Sequence, residues 1–336
     1  MSIGDAGTDA ETPPRRLRIN LHVLGPLVAL LLLIVLGASL NGDFLDASNI
    51  TNVVARSSFI GVIAVGATFV ITSGGLDLSV GAMAALIAGA MILVINALVP
   101  RLGVGWPVVL AGMAAGLALG AVAGFGNGLL VTRGRIEAFI VTLGTMGIFR
   151  STVTYLANGG TLSLNFDVRD VYRPVYYGGV FGIPWPIVAF AVVALLGELA
   201  MRRTRFGRHC AAIGSSEQVA RYSAVHVDRV RLVTYVLQGV LVAVATLLYV
   251  PRLGSASSTT GVLWELEAIA GVIIGGTTLR GGYGRVWGTV IGVLILSLID
   301  NILNLTNIVS PYLNGAFQGI IIILAVLLQR NRKAAR

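Results

Sequence analysis

Four carboxylates, Asp77, Glu265, Glu267 and Asp300, lie beside or inside long apolar runs of a 336-residue chain, as do Arg56 and Arg150. Asn127, Gln238, Asn301 and Gln318 are the amides in comparable positions. Ionisable groups in such surroundings are costly and count by default as candidates for moving a proton, an ion or a solute. Most of the charged ones fall within a turn or two of the end of a run, where snorkelling or interfacial water suffices. Asn127, Gln238 and Gln318, with Glu265, are the candidates for lining a hydrated path.

Chemistry of the catalytic kind is not apparent. His22, His209 and His226 sit at run ends or in polar loops, none of them in an H-E-x-x-H pattern, and there is no G-x-S-x-G elbow. Cys210 is the single cysteine, which leaves no partner for a disulfide and no cysteine-rich metal site. Lys333 is the only lysine, so a G-x-x-x-x-G-K-[ST] phosphate loop cannot form. If ATP drives this chain, another chain must hydrolyse it. No catalytic residue, no metal site and no bound cofactor are expected.

The elements that must hold these residues are membrane helices. The composition is 56% hydrophobic and 12% charged, where soluble domains carry about a quarter charged residues. Apolar runs of spanning length place ten helices near 24–40, 52–73, 79–98, 106–131, 137–157, 184–200, 230–250, 263–277, 285–303 and 312–329. The expected fold is an all-α, polytopic membrane protein. Residues 1–20 are polar and the first run lacks a clear small-residue cleavage site, so no cleavable leader is expected. With the N-terminus inside, 18 of the 24 basic residues fall in inner segments; the other six are Arg56, Arg101, Arg150, Arg169, Arg173 and Arg252. That asymmetry puts both termini in the cytoplasm. The net charge of +9 orients the chain and gives no reason to expect nucleic acid as a partner. Residues 1–20 and 331–336 are then cytoplasmic tails around a membrane domain, 21–330. Two polar stretches interrupt it: 158–183 outside, with a short strand or helix, and 201–229 inside, the longest cytoplasmic segment.

Glycine punctuates this pattern in two places. "GGLDLSVG" (74–81) and "GGTTLRGG" (275–282) share the order G-G-x-x-L-x-x-G, each ending one run and opening the next on the cytoplasmic side. Gly74, Gly75 and Gly81 in the first, and Gly275, Gly276, Gly281 and Gly282 in the second, read as hinge or gate positions. Glycine suits the C-terminal turn of a helix, so Gly74-Gly75 ends the second run; Asp77 or Ser79 then caps the third. Interrupted segments in matching positions of two halves point to a translocation pathway. With 43 glycines in the chain, true duplication and coincidence both remain open. Gly112, Gly116, Gly120, Gly124 and Gly128 form a stripe on one helical face, and Gly284, Gly288 and Gly292 a shorter one, both suited to close helix packing. Smooth glycine faces would also let helices slide.

Three segments together give the chain a resemblance. "GGLDLSVG", "EAFIVTLGTMGIFRS" (137–151, with Ala138 where proline is usual) and "WELEAIAGVIIGGTTLRGGYGRVWGT" (264–289) are similar to hallmark blocks of the inner-membrane permeases of bacterial ABC sugar importers of the ribose type. The resemblance covers roughly residues 20–330. It implies a multi-pass protein of the bacterial cytoplasmic membrane that translocates a sugar, a monosaccharide above all. Its implied partners are a second permease protomer, identical or homologous, a cytoplasmic ABC ATPase that uses ATP and Mg, and an extracytoplasmic sugar-binding protein. It also implies an ATPase-coupling helix in the inner loop, at Gly214, Ser215, Ser216, Glu217, Gln218, Val219, Ala220, Arg221, Tyr222 and Ser223. The residues suit one: Ser215 and Ser216 can cap it, Glu217 puts an acid in its first turn, and Val219 and Tyr222 share a face at i, i+3. Family members usually carry Gly-Ile where this chain has Ala224-Val225. Two alternatives are an ABC permease for a non-sugar solute, such as a branched-chain amino acid, and a secondary transporter driven by an ion gradient. The second would need a coupling site near the midplane.

Overall fold

A computed structural model describes residues 21–306 and a few positions between 313 and 323. Most of the expected tenth span, with Gln318, and both tails lie outside the described residues. Seven of the described helices are long and apolar enough to cross a membrane. They are α2 (Ala47–Thr72), α3 (Val80–Leu102), α4 (Trp106–Thr132), α5 (Ala138–Leu156), α8 (Trp185–Arg203), α11 (Val227–Leu253) and α13 (Val286–Thr306). α1 (Leu21–Leu40) adds a further apolar run ahead of them.

The glycine stripes explain how these helices pack. Gly112 and Gly116 of α4 lie against Ile95 and Met91 of α3. Gly120, Gly124 and Gly128 of the same helix lie against Gly239, Tyr235 and Leu232 of α11. A Cβ at Gly120 would run into the carbonyl of Gly239, and one at Gly239 into the carbonyl of Gly120, so the two backbones touch there. α2 is wrapped on all sides, with Val62, Ile63, Ala64, Val65, Phe69 and Val70 essentially inaccessible. It is the axis of the bundle. α5 is the opposite case: Val141, Thr142 and Val153 are its only buried residues.

The run at 263–277 is not a full span. α12 (Trp264–Ile274) has 11 residues, which at 1.5 Å each is about 16 Å, half of a roughly 30 Å hydrocarbon core. Left-handed residues delimit it: Gly261 (φ 69°) and Leu263 (φ 70°) before it, Gly276 (φ 92°) after it. α12 packs closely on α13, because Gly271 meets Gly292 and Gly275 meets Gly288 with no room for a Cβ. The polar stretch 158–183 holds β1 (Thr161–Ser163), α6 (Phe166–Tyr172), α7 (Pro174–Tyr177), β2 (Gly179–Val180) and β3 (Ile183–Pro184). β1 pairs antiparallel with β4 (Ser255–Ser257), Leu162 opposite Ala256, which ties this stretch to the entry of α12. The other polar stretch, 201–229, folds as two helices, α9 (Arg205–Ser215) and α10 (Glu217–Tyr222), and not as one.

Candidate functional site

At the arginine-rich end of the bundle the two glycine breaks and the end of α9 converge on one junction. The amide of Gly282 donates to the carbonyl of Thr72 at the end of α2 (2.9 Å). A Cβ on Gly281 would lie 3.0 Å from the Cα atoms of both Gly74 and Gly214. Gly74 (φ 80°), Gly281 (φ 81°) and Gly282 (φ 82°) are left-handed, a conformation that side chains disfavour. Gly214 is closed in by the Thr72 carbonyl and the Gly282 amide. Residues 74 and 281, remote in the chain, touch through bare backbone.

α10 is tied to this junction by charge. Ser216 is its N-cap, accepting from the Val219 amide at 3.4 Å, and Glu217 opens it. Arg221 bonds Glu217 (2.9 Å) and Asp228 (2.8 Å); Arg231 bonds Glu217 at 2.7 Å and donates through Nε to the Ser73 carbonyl (3.4 Å). Arg231 thus bridges α10 to the first glycine break. Partial burial alone would raise the Glu217 pKa, but hydrogen bonds from Arg221 and Arg231 and their charges outweigh it and hold it below the ordinary carboxylate range. Ala220 is buried beneath the helix, while Val219 (61% accessible) and Tyr222 (81%) project from it together.

Beyond the junction the two breaks diverge. Gly75 tucks beneath the Tyr235 hydroxyl, and the chain runs non-helically to Val80. Gly81 already packs against Gly261 and Glu265, at the first turn of α12. The stretch is therefore a segment threading inward alongside α12. Its polar groups are buried. Asp77 Oδ1 accepts from the amide (2.9 Å) and hydroxyl (2.6 Å) of Ser79, and Asn127 donates to that hydroxyl at 2.9 Å. Neither Asp77 nor Ser79 caps α3 in the expected way. Asp77 closes a two-residue turn onto Ser79, which holds the N-cap position without a side-chain cap bond. The Tyr235 hydroxyl donates to the Leu76 carbonyl (3.1 Å), and Gln238 donates to the Ile63 carbonyl (3.4 Å). Asp77 Oδ2, Asn127 Oδ1 and Gln238 Oε1 are buried with no hydrogen-bond partner.

The structure thus brings Asp77, Ser79 and Asn127 together, with Tyr235 beside them, and buries Asn127 (1% accessible) and Gln238 (0%) inside one protomer. Glu265 stands apart, against Gly81, with Oε2 unpartnered. One residue that sequence reasoning passed over is Glu198. Buried on α8, it accepts through Oε2 from the amides of Val286 (3.0 Å) and Trp287 (3.2 Å), capping α13 from another helix, while Oε1 pairs with Arg202. Its only signal in the sequence is a lone carboxylate one helical turn before an arginine in an otherwise apolar run.

Comparison with known proteins places this arrangement. Residues 49–326 match the model of the branched-chain amino acid transport system / permease component family. The chain belongs to that family. The permease is 38% identical over 333 residues to the ribose import permease protein of Bacillus subtilis (strain 168), covering 96% of this chain and 98% of that one. It is 36% identical to the ribose import permease protein of Escherichia coli (strain K12), over 91% and 93%. With the xylose transport system permease protein of Haemophilus influenzae (strain ATCC 51907 / DSM 11121 / KW20 / Rd) it shares 30% identity over 94% and 98%. It is thus a multi-pass membrane protein of a permease family, and its coverage of these relatives is nearly end to end.

Proposed function

We propose that this permease is the membrane-spanning subunit of an ATP-driven importer for a monosaccharide. The observation that carries the reading is the junction, where an exposed, ion-paired two-turn helix is joined through Gly214 and Arg231 to both glycine breaks at once. A push on α10 reaches the end of α2, the threaded segment 75–79 and the loop before α13 through the Glu217–Arg231 ion pair and the bare-backbone contacts of Gly214. The sugar class rests on the relatives, which import ribose and xylose.

In this reading the arginine-rich end faces the cytoplasm and α10 is the coupling helix. Val219 and Tyr222 enter a groove on a cytoplasmic ATPase, which holds the ATP and Mg; this chain binds no cofactor and performs no chemistry. A second protomer completes the path, with the bare face of α5 available to it, and an extracytoplasmic binding protein delivers the sugar. A gradient-driven carrier is the rival, and the buried Asp77 carboxylate is the observation that favours it.

The test is purification of the tagged protein from its native membrane in mild detergent, beside a Val219→Asp, Tyr222→Asp double variant. An ATPase should accompany the wild type and be lost from the variant. Reconstituted wild-type complex should take up ribose or xylose only with ATP present. Uptake by this chain alone down a proton or sodium gradient would overturn the reading.

A further inference from the structure

The last two turns of α5 and the bend after them carry a polar surface that the coupling machinery does not use. Arg150, Ser151, Thr154, Tyr155, Asn158 and Gly159 line an open hollow of about 470 Å³ at the end of the bundle opposite the arginine-rich face. It is open on one side, so it offers one face to a ligand and does not enclose it. We propose that this hollow is the first docking site for the sugar in the permease, receiving it as it leaves the binding protein. The inference rests on the sugar-importer reading and adds a place to it.

The lining has the chemistry a monosaccharide needs. Tyr155 is 80% accessible, and its ring offers a flat, electron-rich face to the C–H side of a pyranose or furanose. Arg150 is pinned in place: Nη1 donates to the carbonyls of Ser258 (2.6 Å) and Thr260 (2.5 Å). Its remaining N–H groups have no hydrogen-bond acceptor among the described residues and are donors for hydroxyl oxygens. The Thr154 hydroxyl donates to the Arg150 carbonyl (2.7 Å), which leaves its oxygen as an acceptor. Asn158 has a left-handed backbone (φ 48°), held by its amide bond to the Tyr155 carbonyl (3.0 Å) and by Gly159 (φ 74°) bonded to Thr154 (2.9 Å). The bend fixes an amide at the rim beside the aromatic ring. Through Ser258 and Thr260 the site is linked to the strand and turn that lead into α12, so occupancy at Arg150 acts on the entry of the half-helix.

A rival explanation makes Tyr155 an interfacial anchor of the kind that sits at headgroup level. The two are separated in proteoliposomes carrying the full complex with its ATPase and binding protein, using radiolabelled ribose and xylose. Tyr155→Ala and Asn158→Ala should each raise the half-saturating concentration of sugar-loaded binding protein, or lower uptake, by about tenfold, the equivalent of one lost stacking or hydrogen-bonding contact. Tyr155→Phe should keep uptake, and both Tyr155 variants should keep the melting temperature, whereas Asn158→Ala puts alanine in a left-handed position and is read beside Asn158→Gly, which removes the amide without that strain. Unchanged uptake in Tyr155→Ala, or uptake falling only in step with melting temperature and ATP hydrolysis, would overturn the site. Failure of the wild-type complex to take up either sugar would instead overturn the importer reading, and this site with it.

Discussion

The two glycine breaks begin alike and end differently. Gly74 and Gly281 meet at the same point, both left-handed and both in backbone contact. From there the first break threads inward and carries a buried carboxylate, whereas the second turns at once, the Thr278 hydroxyl donating to the Gly281 carbonyl (2.6 Å), and enters α13. What differs is the neighbour. The first runs between α11 and α4, which supply Tyr235 and Asn127 to its polar groups; the second is closed from outside by Glu198. A shared residue pattern therefore marks a shared junction, not a shared path beyond it.

The sharpest break of this comparison is Gly281→Ala. The substitution forces a left-handed alanine, about 1–2 kcal/mol, and places a methyl against two backbones, a further 1–3 kcal/mol. We expect the melting temperature in detergent to fall by more than for any other single change considered, with loss of the co-purifying ATPase. Gly144→Ala, mid-helix on α5 where a Cβ meets nothing within 4 Å, is the contrasting control and should hold or raise the melting temperature, since alanine gains about 0.5–1 kcal/mol over glycine in a helix.

The polar contents of the two breaks come next. Asp77→Ala strips the bonded partner from the buried Ser79 amide and hydroxyl, worth about 1–3 kcal/mol, while Asp77→Asn keeps an acceptor at Oδ1 and should lose less. If both were equally damaging in thermal unfolding, the charge and not the turn would be the point of the residue, and the gradient-driven reading would gain. Glu198→Ala tests the second break: it leaves two α13 amides uncapped, about 1–2 kcal/mol, and should loosen α13 without disturbing Asp77. Hydrogen exchange at Val286 and Trp287 reads this directly.

These two residues also mark what a sequence can and cannot disclose. The glycine stripe on α4, the start of a helix at Glu217 and the two breaks were all legible, because each depends on spacing within a few residues; that Gly214 and Ser215 end α9 instead of opening the coupling helix, leaving Ser216 as its cap, was not. The shortness of α12 was not, since an apolar window cannot tell a spanning helix from a half-helix preceded by left-handed turns. Nor was the meeting of the breaks, which joins residues far apart in the chain, or the cap that Glu198 lends to a helix 88 residues on. Asp77 stood out as a carboxylate at a break in an apolar run; its bonded partner Ser79 lies in its own turn, but the Asn127 amide that bonds Ser79 lies on α4, and only folding brings it into reach.

Acid should undo the tether between α10 and the first break. The folded pKa of Glu217 lies below its unfolded value, so its stabilising contribution is present above the ordinary glutamate pKa and is lost as pH falls through the lowered one. Release of the ATPase from the permease in a pH titration should show a wild-type step in that range that Glu217→Gln lacks. The pair is partly solvated, so the step should shrink with added salt.

The smallest effect belongs to Ala224, the left-handed residue just after α10 (φ 58°). It has the conformation of Gly281 but is exposed, with no backbone pressed against it. Replacing it by glycine relieves about 1 kcal/mol of left-handed strain and adds about 0.5–1 kcal/mol of unfolded-chain entropy, so the two nearly cancel. Ala224→Gly should shift the melting temperature by a degree or less, in either direction, and leave ATPase binding intact. A large gain would mean that the turn after α10 is held under strain by its surroundings, as Gly281 would be if it were alanine. A null result assigns the intolerance at the junction to backbone contact and not to the sign of φ.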